Sequence, residues 1–162
     1  ASDVYKRQCF VLGDFLNKKS CTSMEYIKQL LQGKYPAAPK FSVMISHVKD
    51  IAKAHVLSLN NKKAEGRRLI VGSGTRSILE LSKIMAENIP SHSKKLPKKE
   101  LPNFMVKLIS YLDSSAKNLV PDLGLKMETD TKYAEEILQM KFIEPEVSVV
   151  DAAKSVIRLN LA

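Results

Sequence analysis

No stretch of this sequence approaches the roughly 18 to 20 uninterrupted apolar residues that a membrane-spanning helix needs, and its N-terminus has no hydrophobic core of the secretory type. A soluble, cytoplasmic protein with no membrane partner is expected. Cysteine is scarce, at Cys9 and Cys21 only. The pair has no C-x-x-C spacing, and a chain of 162 residues does not need a disulfide to stay folded. Two reduced thiols follow. Also missing are H-E-x-x-H, a P-loop and G-x-S-x-G, so a metalloprotease, an NTPase and an α/β-hydrolase have nothing to build on.

What is present is enough for one body with a real core: 44% of the residues are hydrophobic. The formal charge of +9 raises the question of nucleic acid, whose phosphates a basic surface attracts. The lysines are scattered, however, and the one dense cluster, "SKKLPKKE" (Ser93 to Glu100), has no aromatic residues interleaved for base stacking. It reads as a solvated loop, with no nucleic-acid partner, and its field would equally suit an anionic cofactor.

The hydrophobic pattern gives strand and helix alternating in the first half and mostly helix in the second. "CFVLGDF" (Cys9 to Phe15) reads as a buried strand leaving into a loop at Gly13. Thr22 or Ser23 is placed to cap a helix whose Met24, Ile27, Leu30 and Leu31 share a face and which stops at Gly33. "FSVMIS" (Phe41 to Ser46) alternates as a half-buried strand does. Val48, Ile51, Ala52, His55, Val56 and Leu59 fall at helical spacing, predicting a helix over 48–59 with that face inward.

"SHVKDIAKAH" (Ser46 to His55) holds two of the three histidines. Eight residues apart on a helix, His47 and His55 lie about 12 Å from each other along the axis, too far to share a metal ion. His47 falls at the cap, Asp50 in the first turn where a carboxylate suits free backbone N–H groups, and His55 reads as a core histidine. No metal site is expected.

"GRRLIVGSGTRSILELSKIMAEN" (Gly66 to Asn88) reads as strand, glycine turn and helix, with Ile78, Leu81, Ser82 and Met85 on one face. Gly72-Ser-Gly74 lacks the third glycine of a dinucleotide fingerprint, where Ser77 stands, so a turn without a phosphate is favoured. Helices are further expected over 101–113, burying Phe104, Leu108, Ile109 and Leu112, over the stretch after an Asp130 or Thr131 cap, and at the C-terminus from "SVVDAAKSVIRLNL". His92 sits in a polar loop and is read as having no evident nucleophile beside it. From residue types alone this is an α/β domain without a self-sufficient catalytic cluster.

The order of segments says more. "CFVLGDF", then "SMEYIKQLLQGKYPAAPKFSVMISHVKDIAKAHVLSL", then "EGRRLIVGSGTRSILELSKIMAE" resembles the C-terminal half of an extended short-chain dehydrogenase/reductase, in the dihydroflavonol-reductase and aldehyde-reductase branch. The matching residues are Val11, Gly13, His47, Val48, Asp50, Ala52, Ala54, His55 and Gly66-Arg67. "LPNFMVKLIS", "PDLGLK" and "TDTKYAEEIL" resemble the family's distal helices. The resemblance implies a Rossmann-like α/β fold with few strands and a mostly helical substrate-side lobe. It divides the chain into the end of the sheet with its helices over 9–90 and a helical portion over 91–162, while "ASDVYKRQ" over 1–8 resembles a translated library-adapter sequence and is read as a non-native prefix.

By the same resemblance the intact protein would be an NAD(P)H-dependent reductase of a ketone or aldehyde, acting as a monomer or homodimer on a small-molecule carbonyl substrate. NADP is the implied cofactor, with NAD as an alternative. Cys9, Phe10 and Val11 would line the nicotinamide end of the cofactor cleft, and Ser23 would help hold the phosphates. The loop Asp14 to Thr22 and the helix Leu101 to Asp113 would border the substrate. No catalytic residue carries over, because no tyrosine here has a lysine four positions later; that motif and the Gly-rich turn belong to the family's N-terminal half, and the chain by itself should be inactive. Asp14 stands where relatives have proline, and "LQMKFIEPE" where they have L-G-W-K-P. A nucleotide-sugar epimerase or dehydratase and a 3β-hydroxysteroid dehydrogenase share the fold, and a non-catalytic basic domain that binds a polyanion is the rival from another class.

Overall fold

The computed structural model describes residues 9–19, 21–111, 120–125 and 128–162. The prefix 1–8, Leu112, Asp113 and Met127 lie outside them. Strand β1 (Phe10–Leu12) leads through a loop to α1 (Thr22–Leu31), followed by β2 (Ala38–Pro39), β3 (Ser42–His47), α2 (Val48–Leu59), β4 (Gly74–Ser77), α3 (Ile78–Asn88) and β5 (Glu100–Leu101). Then come α4 (Asn103–Ile109), α5 (Lys132–Leu138) and α6 (Pro145–Arg158). The main sheet runs β1-β3-β4, with β1 parallel to β3 and β4 antiparallel to it; β2 and β5 form a second, parallel pair.

β3 is the central strand and is buried from Val43 to His47, not half-buried as its alternation suggests. Both faces are covered. Val43 and Ile45 join the main core with Ile27, Leu30 and Leu31 of α1, Ile78, Leu81 and Met85 of α3, and Val149, Ala152, Ala153 and Val156 of α6. On the other face Met44 lies where a side chain on Gly72 would have to go, and the Ser46 hydroxyl donates to the Val71 carbonyl. A strand flanked by helices through a parallel neighbour is buried on both sides, and alternation then says little.

The third strand lies later in the chain than expected, over Gly74–Ser77 instead of the apolar run before the glycines. Arg67 to Val71 join no strand pairing; β4 begins at Gly74, the second of the two glycines. The reason is steric: a Cβ on Gly72 would meet the Ile45 carbonyl oxygen at 3.1 Å and Met44 at 3.1 Å, so only glycine lets the chain cross β3 there. Gly74, with φ +144°, turns it into β4. Ser77 then caps α3 in a capping box with Glu80, each side chain bonding the other's backbone N–H.

α1 ends as expected. Gly33 takes φ +76°, and the N–H groups of Gly33 and Lys34 donate to Leu30 and Gln29 carbonyls, a Schellman closure. Its N-cap is Cys21 rather than Thr22 or Ser23, and no side chain caps it. α2 is rotated from the expected orientation. Its buried positions are Asp50 and Ala54, while Val56 is 66% and Leu59 80% exposed and His55 is at the surface, its Nδ1 bonded to the Ile51 carbonyl. Ala54 packs with Ala134, Leu138, Met140 and Phe142 in a second small core, and a small side chain is what allows that close approach. α4 likewise buries Val106, leaving Phe104 70% exposed and Leu108 and Ile109 outward. In α5, which starts after Thr131, Ala134 and Leu138 are buried and Tyr133 is exposed.

Candidate functional site

In a parallel α/β sheet, ligands gather beyond the carboxyl ends of the strands. Here those ends are Leu12-Gly13 and His47, which the register sets side by side. Gly13 has φ +123°, and an added Cβ would stand 3.0 Å from His47 Cε1, 3.0 Å from its Nε2 and 3.0 Å from Val48 Cγ1. The chain can turn away from β1 at this point only because position 13 has no side chain.

His47 is 1% exposed. Its Nδ1 accepts the Lys49 N–H at 3.1 Å, as the cap position predicts, so Nε2 carries the proton and faces Asp151 Oδ2 at 3.5 Å. Asp50 does not reach back to the helix start. Its Oδ2 accepts the Ile143 N–H at 2.7 Å, tying α2 to the segment that enters α6.

The loop after Gly13 is held by α6. Ser155 Oγ accepts the Phe15 N–H at 2.7 Å and donates to the Phe15 carbonyl at 3.1 Å; Arg158 bonds Asp14 at 2.9 Å. Leu16 beyond it is fully at the surface. None of these partners was legible in sequence; the nearest signal is a serine, Ser155, among the apolar positions of an amphipathic helix.

Of the expected cofactor residues, Phe10 and Val11 lie on β1 and Cys9 just before it, all half-buried. Ser23 lies in the first turn of α1, half-buried. β1 and α1 meet through Phe10, whose ring packs edge-on against Tyr26 at 5.6 Å between centroids. The Tyr26 hydroxyl is buried without a hydrogen-bond partner, and burial, with Tyr35 beside it, pushes its pKa well up, so it remains a neutral phenol. The Cys21 side chain makes no capping hydrogen bond to the first turn of α1, and backbone N–H groups at a helix start suit an anion. Among the described residues no group of three or more His, Cys, Asp or Glu side chains is placed to hold a metal ion. No helix there is long and apolar enough to cross a membrane.

A parallel strand pair with a glycine turn at its carboxyl end and a helix beyond it is a unit of open α/β architecture. No protein-family model matches the sequence. Over 83 residues the chain is 30% identical to tetraketide alpha-pyrone reductase 2 of Arabidopsis thaliana, covering 51% of this chain and 26% of that protein. Yeast methylglyoxal/isovaleraldehyde reductase, solved with NADPH, superposes with a TM-score of 0.64 at 21% identity, over 93% of this chain and 45% of that one. Vestitone reductase from alfalfa gives 0.63 at 19% identity, over 94% and 43%. The fold is the Rossmann-like α/β fold of these two reductase structures. The chain spans less than half the length of these relatives.

Proposed function

We propose that this chain is the substrate-side portion of an NAD(P)H-dependent reductase that acts on a ketone or aldehyde. The observation that carries the reading is the junction of Gly13 with His47 at the carboxyl ends of two parallel strands, with the uncapped N-terminus of α1 following. The relatives, a tetraketide pyrone reductase, a methylglyoxal reductase and a vestitone reductase, are reductases by name.

In this reading Cys9, Phe10 and Val11 form a wall of the nicotinamide pocket, and Ser23 with the first-turn N–H groups of α1 holds phosphate. The bound cofactor supplies the hydride. Gly13 keeps the strand end open, His47 and Asp151 fix the turn, and Ser155 holds the loop over the substrate. The proton for the carbonyl oxygen comes from a Tyr-x-x-x-Lys pair outside this sequence, in which the lysine lowers the tyrosine pKa. The domain division 9–90 and 91–162 and the non-native status of 1–8 belong to the same proposal.

The test joins the chain from Cys9 onward to an upstream segment carrying the Gly-rich turn and Tyr-x-x-x-Lys, and follows NADPH oxidation with a panel of aldehydes and ketones. Turnover by the joined protein, none by the 162-residue chain, and a several-fold rise in KM for NADPH with Ser23→Ala are expected. Turnover by the chain alone would contradict the division of labour, and a joined protein that binds NADPH yet reduces no carbonyl would contradict the reaction.

A further inference from the structure

The four lysines of the cluster are exposed, as its charge suggests, but the loop that carries them is anchored. Leu96 is 4% exposed and belongs to the main core, and Pro97 beside it is buried. This buried dipeptide divides the cluster into two pairs, Lys94-Lys95 and Lys98-Lys99, and holds both out over one cleft of about 570 Å³ that all four residues line, together with Tyr35 and Glu100.

The walls of the cleft are fixed. On one side Gly33, in its left-handed turn, lies against Lys95, whose Cβ would stand 3.1 Å from a side chain at that position. On the other, Ala38 and Pro39 of β2 pair with Glu100 and Leu101 of β5, and the Ala38 N–H donates to the Lys99 carbonyl at 2.9 Å. The lysines therefore project from anchored backbone.

Among the described residues their ammonium groups have no ion-pair partner. The ion pairs of the described residues are Lys28–Glu25, His47–Asp151, Arg76–Glu146 and Arg158–Asp14, none of which involves the cluster. The last carbonyls of α1 are closed by the Gly33 and Lys34 N–H groups, so the lysines are not needed as caps. Among the described residues Glu100 is the one acid on the lining. Four like charges around a concave surface repel each other and focus a positive potential into it, and a multiply charged anion relieves that repulsion.

We propose that this cleft is a binding site for a small anion bearing several phosphate groups. Lysines, as mobile point charges, suit clustered phosphates more than a planar carboxylate. A single-stranded nucleic acid would ask for a free aromatic surface, whereas Tyr35 is engaged, its hydroxyl donating to Gln29 at 2.6 Å and its ring lying 5.5 Å from Tyr26. The site sits at the C-terminal end of α1, while Ser23 is in its first turn, and it does not depend on the reductase reading.

The test is calorimetric titration of the 162-residue chain with tripolyphosphate at about 0.15 M salt, with sulfate, a short single-stranded DNA and variant chains alongside. One-site binding is expected, with sulfate at least about tenfold weaker and the double variant Lys94→Glu/Lys98→Glu weakening tripolyphosphate by about tenfold or more. Lys62→Glu/Lys63→Glu, which makes the same change in net charge on the turn after α2, should leave it unaffected. Lys95→Gln/Lys99→Gln serves as a milder pair, with thermal melts confirming that each variant is folded. Equal weakening by the 62/63 pair would show unspecific attraction to a basic chain and overturn the proposal, as would absence of binding. DNA binding tighter than tripolyphosphate through the same lysines would overturn it in favour of a nucleic-acid surface.

Discussion

Gly13 and His47 meet at the carboxyl ends of β1 and β3 so closely that a methyl group on Gly13 would stand 3.0 Å from two atoms of the imidazole ring. The ring cannot retreat, because its Nδ1 caps α2 and its Nε2 faces Asp151. Gly13→Ala should therefore cost about 3 kcal/mol, from the left-handed backbone and the overlap together. In a His47→Ala background the same substitution should cost at least about 1 kcal/mol less, since the overlapping ring is gone. Urea unfolding of the four proteins measures the difference; equal costs in both backgrounds would deny the contact.

Asp50 is 5% exposed and spends its carboxylate on one backbone N–H, that of Ile143. Asp50→Ala leaves that group unpaired and should cost about 2 kcal/mol, whereas Asp50→Asn, which retains an acceptor oxygen, should cost less. Hydrogen exchange at the Ile143 amide reports the bond directly and should accelerate in the alanine variant.

The capping box of α3 makes an acid-sensitive contribution. Hydrogen bonds from the Ser77 N–H and hydroxyl, with smaller help from Arg76 and Lys83, hold the Glu80 carboxyl below its ordinary value of 4.5 against the opposing effect of burial. Below that value the unfolded chain binds the proton more readily than the folded one. The stabilisation is thus complete above about pH 4.5 and is lost as pH falls through the folded-state pKa. Ser77→Ala should cost about 1 kcal/mol at neutral pH. Thermal melts from pH 7 downward should show the gap between the wild-type chain and Glu80→Ala closing in acid; a gap that widened would reverse the sign argued here.

On α4 the expected and observed faces give opposite predictions. Phe104→Ser and Leu108→Ser should each change stability by no more than about 0.5 kcal/mol, as exposed positions do. Val106→Ala should cost about 1 kcal/mol or more through the space it leaves. Denaturant midpoints for the three variants decide between the two faces.

Helix positions were largely legible because their signals are local. Met24, Ile27, Leu30 and Leu31 recur at helical spacing and are buried as that spacing implies; Gly33 closes α1; His47 caps α2. The orientation of α2 and α4 was not. An amphipathic pattern shows which residues share a face, but a helix with Val48, Val56 and Leu59 on one side and Asp50 and Ala54 on another docks by whichever face finds a partner, and here the partners are Ile143 and α5. The delayed start of β4 had a local cause, the crossing at Gly72, whose need appears only once Ile45 and Met44 lie beneath it. The candidate site divides the same way: Cys9, Phe10, Val11 and Ser23 were named from family resemblance, while the Phe10–Tyr26 contact that links strand to helix was not foreseen.

By itself the sequence determined what nearest neighbours along the chain can decide: where the backbone turns and where helices start and stop. Tertiary structure decided the pairings across long separations, Phe15 with Ser155, His47 with Asp151 and Asp50 with Ile143. Such contacts have no periodicity to betray them, because each depends on one buried polar group finding a complementary one that only the packing of α6 brings within reach.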